Sequence, residues 1–333
     1  MPATRTSSAA SRRSALNRPE AKRKRTDHRL IVGPPFHLEA TVRILQRRPA
    51  NRVDVWENGS YIRLLGLPQG LTLVRVFDGG TVDRPDLRYA ILAGPHSLAT
   101  HAAVRLTLSR VLGLDRGPGA LQRLARIEPA LLSTVCALRG MRAPQFADLF
   151  ESFASVIPFQ QLSLDAGIAI LAKLVERFGE QLPYQERRYF AFPRAQTIAS
   201  AHVLELQQCG LSAKKAETLQ RIARAIYSGE LSEHSLVQMD TVEALERLTS
   251  FPGVGPWTAG LVLLRGLGRR DVFPTGDRGA ARALRELLDL REHDAIETVT
   301  ARFGVDRGYL YFCCLGAKLL ARGLISASPP PQR

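Results

Sequence analysis

Phe251-Pro252-Gly253-Val254-Gly255-Pro256-Trp257-Thr258-Ala259 interrupts two apolar helical faces, and how the chain passes through it decides the fold. Upstream, Val242, Leu245 and Leu248 recur at helical spacing, and from Trp257 to Leu267 an apolar helix resumes. Pro256 suits the first position of that second helix, where its missing N–H is not needed. Gly253 and Gly255 let the backbone turn tightly and approach a partner with no side chain in the way. Free N–H groups at the start of the second helix then face outward, as a phosphate oxygen requires. The expectation is a helix-hairpin-helix that clamps phosphate without reading sequence. Gly-x-Gly alone is common, so a plain helical turn fits these residues too.

The following residues raise the signal. Asp271-Val272-Phe273-Pro274-Thr275-Gly276-Asp277 is an extended approach that ends in an acid, and a helical run from Arg278 to Leu288 comes next. At that helix's N-terminus Asp277 is either a structural cap or a carboxylate kept ionised by the helix dipole.

The nonapeptide, with an Asp twenty positions after its Trp, resembles the helix-hairpin-helix DNA glycosylases, and most of all the DNA-3-methyladenine glycosylase II branch. The likeness runs over about residues 145–325. Ile157-Pro158-Phe159-Gln160-Gln161-Leu162-Ser163 resembles that branch's wedge segment, and Gly210-Leu211-Ser212-x-x-Lys215-Ala216 its next landmark. The resemblance implies a monofunctional enzyme that flips a damaged base out of duplex DNA and hydrolyses its N-glycosidic bond. Asp277 would be the catalytic acid. Trp257, Phe159, Gln160 and Leu315 would surround the base. Gly253, Val254, Gly255, Thr258 and Gln161 would meet the DNA, with Gln161 entering the gap left by the flipped nucleotide or serving as a surface or capping residue. Carbonyl oxygens of Thr249, Phe251 and Val254 would hold a sodium or potassium ion, with no other cofactor required and no iron–sulfur cluster.

Trp257 stands where bifunctional relatives carry a nucleophilic lysine, and an indole cannot form a Schiff base, so no lyase step is expected. Trp257 is either a wall for an electron-poor base or a core residue. The branch's closing signature, Trp-x-Pro-x-Arg-Ser with a second Trp eight residues after the Arg, reads here Phe303-Gly304-Val305-Asp306-Arg307-Gly308 and then Leu315, which keeps only the Arg. These departures bear on substrate range more than on chemistry, and they motivate an alternative: a non-catalytic protein that binds DNA lesions.

Bulk properties agree with a nucleic-acid partner. The 333 residues carry a formal net charge of +15, which raises affinity for polyphosphates. Residues 1–28 hold eight Lys or Arg against Glu20 and Asp27, have little to bury, and read as a disordered basic tail. Within it Lys22-Arg23-Lys24-Arg25 is a nuclear import signal, a nonspecific DNA arm or a solvated charge run. No stretch approaches the ~20 apolar residues of a membrane span. The expected location is the cytoplasm or nucleoid of a bacterium, or the nucleus of a eukaryote. Cys136, Cys209, Cys313 and Cys314 lack Cys-x-x-Cys spacing and read as reduced core thiols.

The expected architecture is mainly α with an N-terminal α+β domain. Residues 29–95 form that domain, with β-type runs at Val53–Trp56, Tyr61–Leu65, Leu71–Phe77 and Arg88–Leu92 and a hairpin turn at Asn58-Gly59. Residues 96–140 and 271–325 form a helical domain carrying Asp277, and 141–270 a second one carrying the hairpin, with a disordered tail over 326–333. Helices are expected at 96–112, 119–126, 129–138, 144–157, 163–178 and after Ser212, with the remainder almost wholly helical. The chain is expected to act as a monomer on damaged duplex DNA.

Overall fold

A computed structural model describes residues 27–329, so residues 1–26, including the basic run at 22–25, and 330–333 lie outside it. The N-terminal part is a five-stranded antiparallel sheet, β1 (His28–Arg29), β2 (Val55–Glu57), β3 (Ser60–Leu67), β4 (Gly70–Asp78) and β5 (Leu87–Ala93), ordered β1-β5-β4-β3-β2. Asn58 and Gly59 both have positive φ, 48° and 70°, as a two-residue turn matched to strand twist requires. It sets the register Glu57 opposite Ser60 and Trp56 opposite Tyr61.

One face of the sheet, with Tyr61, Leu65, Val74, Val76, Tyr89 and Ile91, packs on the helices Leu38–Gln46 and Leu98–Leu112. Leu98–Leu112 begins after the composition changes at Gly94-Pro95, yet its Val104, Leu108, Val111 and Leu112 share the sheet's core. Ser97 caps its start, and Gly113, at φ 62°, ends it as its sequence position predicts.

The other face is covered by something the sequence reading missed. Ile62, Leu64 and Leu73 pack against Tyr189 and Ala191, which belong to a second hairpin, β6 (Gln181–Tyr184) with β7 (Arg187–Phe190), inside the region expected to be helical. Its turn has no Gly or Asn. Gln185 takes the left-handed conformation instead, at φ 53°, and the charged Glu186-Arg187-Arg188 hides the alternation of Leu182, Tyr184 and Tyr189.

Two other expectations are corrected. The helix over 144–157 is only Leu149–Ala154, because Asp148 caps it and Phe146 N–H bonds instead to Arg265 O. Cys136 is exposed, while Cys209, Cys313 and Cys314 are buried free thiols. At the C-terminal end Ser328, read as tail, donates from N–H to Ala137 O and from its hydroxyl to Arg139 O.

Two helical cores complete the chain. One gathers residues of 120–146 with Phe273, Ala280, Leu284 and Tyr309–Cys314; the other gathers residues of 149–263. Leu261 and Leu264 enter the first while Val262 and Leu263 enter the second. The helix after the hairpin is therefore wedged between them, and this puts the hairpin at the mouth of the groove.

A histidine makes the N-terminal core pH-sensitive. His37 caps the helix Leu38–Gln46, its Nδ1 accepting Ala40 N–H at 2.9 Å. Burial pushes its imidazole below the ordinary value of 6.5, against the smaller opposing pull of Glu39 and Asp78. Below that value the unfolded chain binds a proton that the folded one resists, so this stabilisation is present above 6.5 and lost as pH falls. The slope is at most about 1.4 kcal/mol per pH unit. His37→Asn keeps a capping side chain without the titration. Its unfolding free energy should fall less than that of wild type in denaturant melts at about pH 7.5 and 5.5, and identical losses would exclude His37.

Candidate nucleic-acid interface and active site

The helix Thr241–Thr249 is opened by Asp240, whose side chain accepts from Val242 and Glu243 N–H, and it leads into the hairpin. Gly253 sits at φ 91°, where an added Cβ would lie 2.0 Å from Thr218 Oγ1. Gly255 has ordinary extended backbone and open space where a Cβ would go. The two glycines thus serve different ends: Gly253 permits the fold, and Gly255 leaves the outer face bare. Gly253→Ala should cost about 1–3 kcal/mol of stability through strain and overlap. Gly255→Ala should change stability by under about 0.5 kcal/mol while weakening duplex binding. Equal melting points for the two variants would contradict this division.

Pro256 opens the second helix, Pro256–Leu261, which continues as a π-helical turn over Val262–Gly266. Its first intrahelical bond is Ala259 N–H to Gly255 O. The N–H groups of Trp257 and Thr258 precede it and have no partner within the helix.

Across the groove, Asp277 caps the helix Arg278–Leu288, with Oδ1 accepting Ala280 N–H at 2.8 Å. Its Oδ2 accepts the indole N–H of Trp257 at 3.1 Å. The cap left open as one alternative for Asp277 is formed by one carboxylate oxygen, and the other oxygen faces Trp257. Trp257 is half-buried, packed on the first helical core yet lining the groove.

The groove holds about 1100 Å³, beyond the ~300–1,000 Å³ typical of a small-molecule pocket and suited to a stretch of polymer. Its lining brings together Phe159, Gln160, Gln161, Gly253, Val254, Gly255, Trp257, Thr258 and Asp277. Leu315 is not among them. It is half-buried against the first helical core, on which Trp257 also packs. Thr258 is 1% exposed, and its hydroxyl accepts from Gln160 Nε2 at 2.9 Å, so that hydroxyl is spent within the protein. The Phe159 ring lies under the Arg47 guanidinium, 5.7 Å away. A smaller space beside Arg47, Asp54, Glu151 and Arg265 measures about 20 Å³, room for one water and too small for a base.

The sequence reading missed Leu162, Lys214 and Arg278. Leu162 is 45% exposed on the groove rim, and a large apolar residue just before the cap Ser163 was the available signal. Lys214 and Arg278 are exposed on opposite sides of Trp257 and Asp277 in the chain and line the same groove. Arg278 holds the first position of its helix, where the dipole disfavours a cation. Among the described residues it makes no ion pair with the protein.

A hairpin with outward N–H groups, an exposed apolar rim and a doubly bonded carboxylate in a groove lined by Lys214, Lys215 and Arg278 is an arrangement that fits a nucleic-acid backbone. Comparison with known proteins agrees. The HhH-GPD superfamily of base excision DNA repair proteins matches residues 154–303, and the AlkA N-terminal domain matches residues 27–148. The chain therefore combines an HhH-GPD domain with an AlkA N-terminal domain. It is 28% identical over 248 residues to DNA-3-methyladenine glycosylase 2 of Escherichia coli, covering 73% of this chain and 82% of that one. It is 30% identical over 177 residues to the DNA-3-methyladenine glycosylase of Bacillus subtilis, covering 53% of this chain and spanning 58% of that relative's length. Among solved structures, the 3-methyladenine DNA-glycosylase from Archaeoglobus fulgidus superposes with a TM-score of 0.71 at 29% identity, covering 89% of this chain and 99% of that one. Among the described residues no helix is long and apolar enough to cross a membrane.

Proposed function

We propose that the protein is a monofunctional DNA glycosylase that extrudes an alkylated or otherwise damaged base from duplex DNA and hydrolyses its N-glycosidic bond. The observation that carries this is the Trp257 N–H to Asp277 Oδ2 hydrogen bond, which fixes a carboxylate beside an aromatic wall in a groove sized for DNA. As the bond to the base stretches, positive charge develops on the sugar. A negative charge already held in place stabilises that transition state more than the ground state. Trp257 would present an aromatic face to an electron-poor base.

The absence of a lyase step rests on the amines nearby. Trp257 offers no amine beside Asp277; of the two lysines lining the groove, Lys215 donates to the carbonyls of Pro158 and Gln160 and is poorly placed as a nucleophile, so Lys214 is the amine that borohydride trapping tests. Leu162 beside Gln161 supplies an apolar wedge of the kind that unstacks base steps. The same reading has the protein acting as a monomer on DNA of the nucleoid or nucleus. Glycosylase names among the matched relatives favour an enzyme over a protein that only binds lesions.

Carbonyls of Thr249, Phe251 and Val254 suit a sodium or potassium ion. Thr249 ends its helix, so its carbonyl has no intrahelical partner, and Phe251 O accepts a single bond, from Val254 N–H, leaving a lone pair. Hard oxygens match a hard cation, which would stiffen the hairpin. The hydrolysis itself needs only water and Asp277.

Duplexes bearing hypoxanthine or a 3-methyladenine analogue should release free base and leave the strand intact. No release across a broad lesion panel overturns the glycosylase assignment. A covalent adduct trapped by borohydride overturns its monofunctional part.

A further inference from the structure

Gln160, expected to face the base, spends its amide on the protein. Its Nε2 donates to Gly253 O at 3.0 Å and to Thr258 Oγ1 at 2.9 Å, spanning the hairpin from the last turn of one side to the first turn of the next. Its own backbone carbonyl accepts from Lys215 Nζ at 2.6 Å, and that ammonium also donates to Pro158 O at 3.1 Å. Lys215 lies in the first turn of the helix Ala213–Tyr227, the end where the dipole disfavours a cation. The two carbonyls give it the negative partners that the helix does not. The same helix reaches the hairpin further along, where Arg221 donates to Pro252 O at 3.0 Å and Thr218 underlies Gly253. Three segments thus close a triangle: Pro158–Gln160, the hairpin, and the Ala213–Tyr227 helix. Immediately after it the chain turns through Gln161 at φ 56°, a left-handed conformation that side-chain-bearing residues seldom adopt, and presents Leu162 at the groove rim.

We propose that Gln160 and Lys215 are positioning residues that lock the wedge Gln161-Leu162 to the phosphate-binding hairpin, so that gripping the backbone and filling the gap behind an extruded base occur in a single register. The proposal rests on the glycosylase reading for its wedge. It explains why two polar side chains lining the groove are turned toward backbone carbonyls: without them the hairpin would still bind phosphate, but the wedge would be free to shift against it.

Gln160→Ala, Lys215→Met and Lys215→Arg test this in the full chain. Each is measured for affinity to undamaged duplex, for fluorescence of a 2-aminopurine placed beside a hypoxanthine lesion, which reports unstacking, and for single-turnover base release. Gln160→Ala and Lys215→Met should bind undamaged duplex within about threefold of wild type, because phosphate contacts dominate nonspecific affinity. Their unstacking signal and base release should fall together, by about tenfold or more, since each loses two part-buried hydrogen bonds. Lys215→Arg can still donate to two carbonyls and should restore most of both signals.

Wild-type unstacking in variants with wild-type melting points overturns the proposal. So does a loss of undamaged-duplex binding as large as the loss of unstacking, which would reduce both residues to scaffold for the hairpin. A wild-type protein that unstacks the duplex yet releases no base overturns the glycosylase reading alone, and the tie is then judged on fluorescence. One that does not unstack at all overturns the tie.

Discussion

Asp277→Asn is expected to slow single-turnover release of hypoxanthine by about 10²- to 10³-fold, the usual effect of removing one preorganised electrostatic group from an active site. The substitution removes little else. Asn is as good a helix cap as Asp, so the Ala280 N–H keeps its acceptor and the helix Arg278–Leu288 keeps its start. What is lost is the charge, together with one of two acceptor oxygens, since an amide nitrogen facing Trp257 would set donor against donor. Melting should therefore be nearly unchanged while catalysis collapses. Equal rates for variant and wild type would remove Asp277 from the mechanism and leave it a cap alone.

The largest effect on stability is expected at Arg63. This β3 residue is 2% exposed, donates to Asp54 Oδ1 at 2.9 Å and pairs with Glu151. Tyr61 donates to the same Asp54 oxygen at 2.7 Å. Burial opposes the guanidinium's charge, but Glu151, Tyr61 and Asp54 outweigh it and hold Arg63 well above its ordinary value. Arg63→Ala would leave two carboxylates buried without their cation, which costs about 3–5 kcal/mol in comparable sites. Removing the pair is a different matter from never having had it: a well-packed apolar replacement of the whole group could be neutral or better. Denaturant unfolding of Arg63→Ala checks the figure, and a loss below about 1 kcal/mol would mean that the carboxylates relax into solvent or take up protons at little cost. Because Glu151 belongs to the helix Leu149–Ala154 that feeds the wedge segment, this ion group also ties the N-terminal sheet to the groove.

Local chemistry explains what could be read in advance. Asn58-Gly59 demands a tight hairpin whatever surrounds it, and the strands on either side fell where alternation placed them. Ser212 announced a helix start, and it accepts the backbone N–H that its type predicts, as Ser97 and Ser163 do at two other starts. Where the local signal was weak, the reading failed. The hairpin β6–β7 exists because Tyr189 and Ala191 cover Ile62, Leu64 and Leu73 more than a hundred positions away in the chain, and no window of sequence contains that contact.

The candidate site divides along the same line. The residues Gly253, Gly255, Trp257 and Asp277 were legible because turn chemistry, helix starts and a family spacing all act within about twenty-five positions. Their meeting was not. Trp257 reaches Asp277 only because the helix after the hairpin is packed between two cores and aims its indole at the next helix's first turn. Gln160 and Thr258 bond each other, and Leu315 packs on the first helical core and is not among the groove-lining residues, because side-chain direction is settled by what else is packed nearby. The sequence by itself determined the hairpin turn between two helices and the acid that caps the helix after it, since these follow from backbone conformations and residue types that act over short range. Only the tertiary structure decided which side chains face the DNA and which hold the machinery together, since each such choice is a hydrogen bond or a burial between segments far apart in the chain.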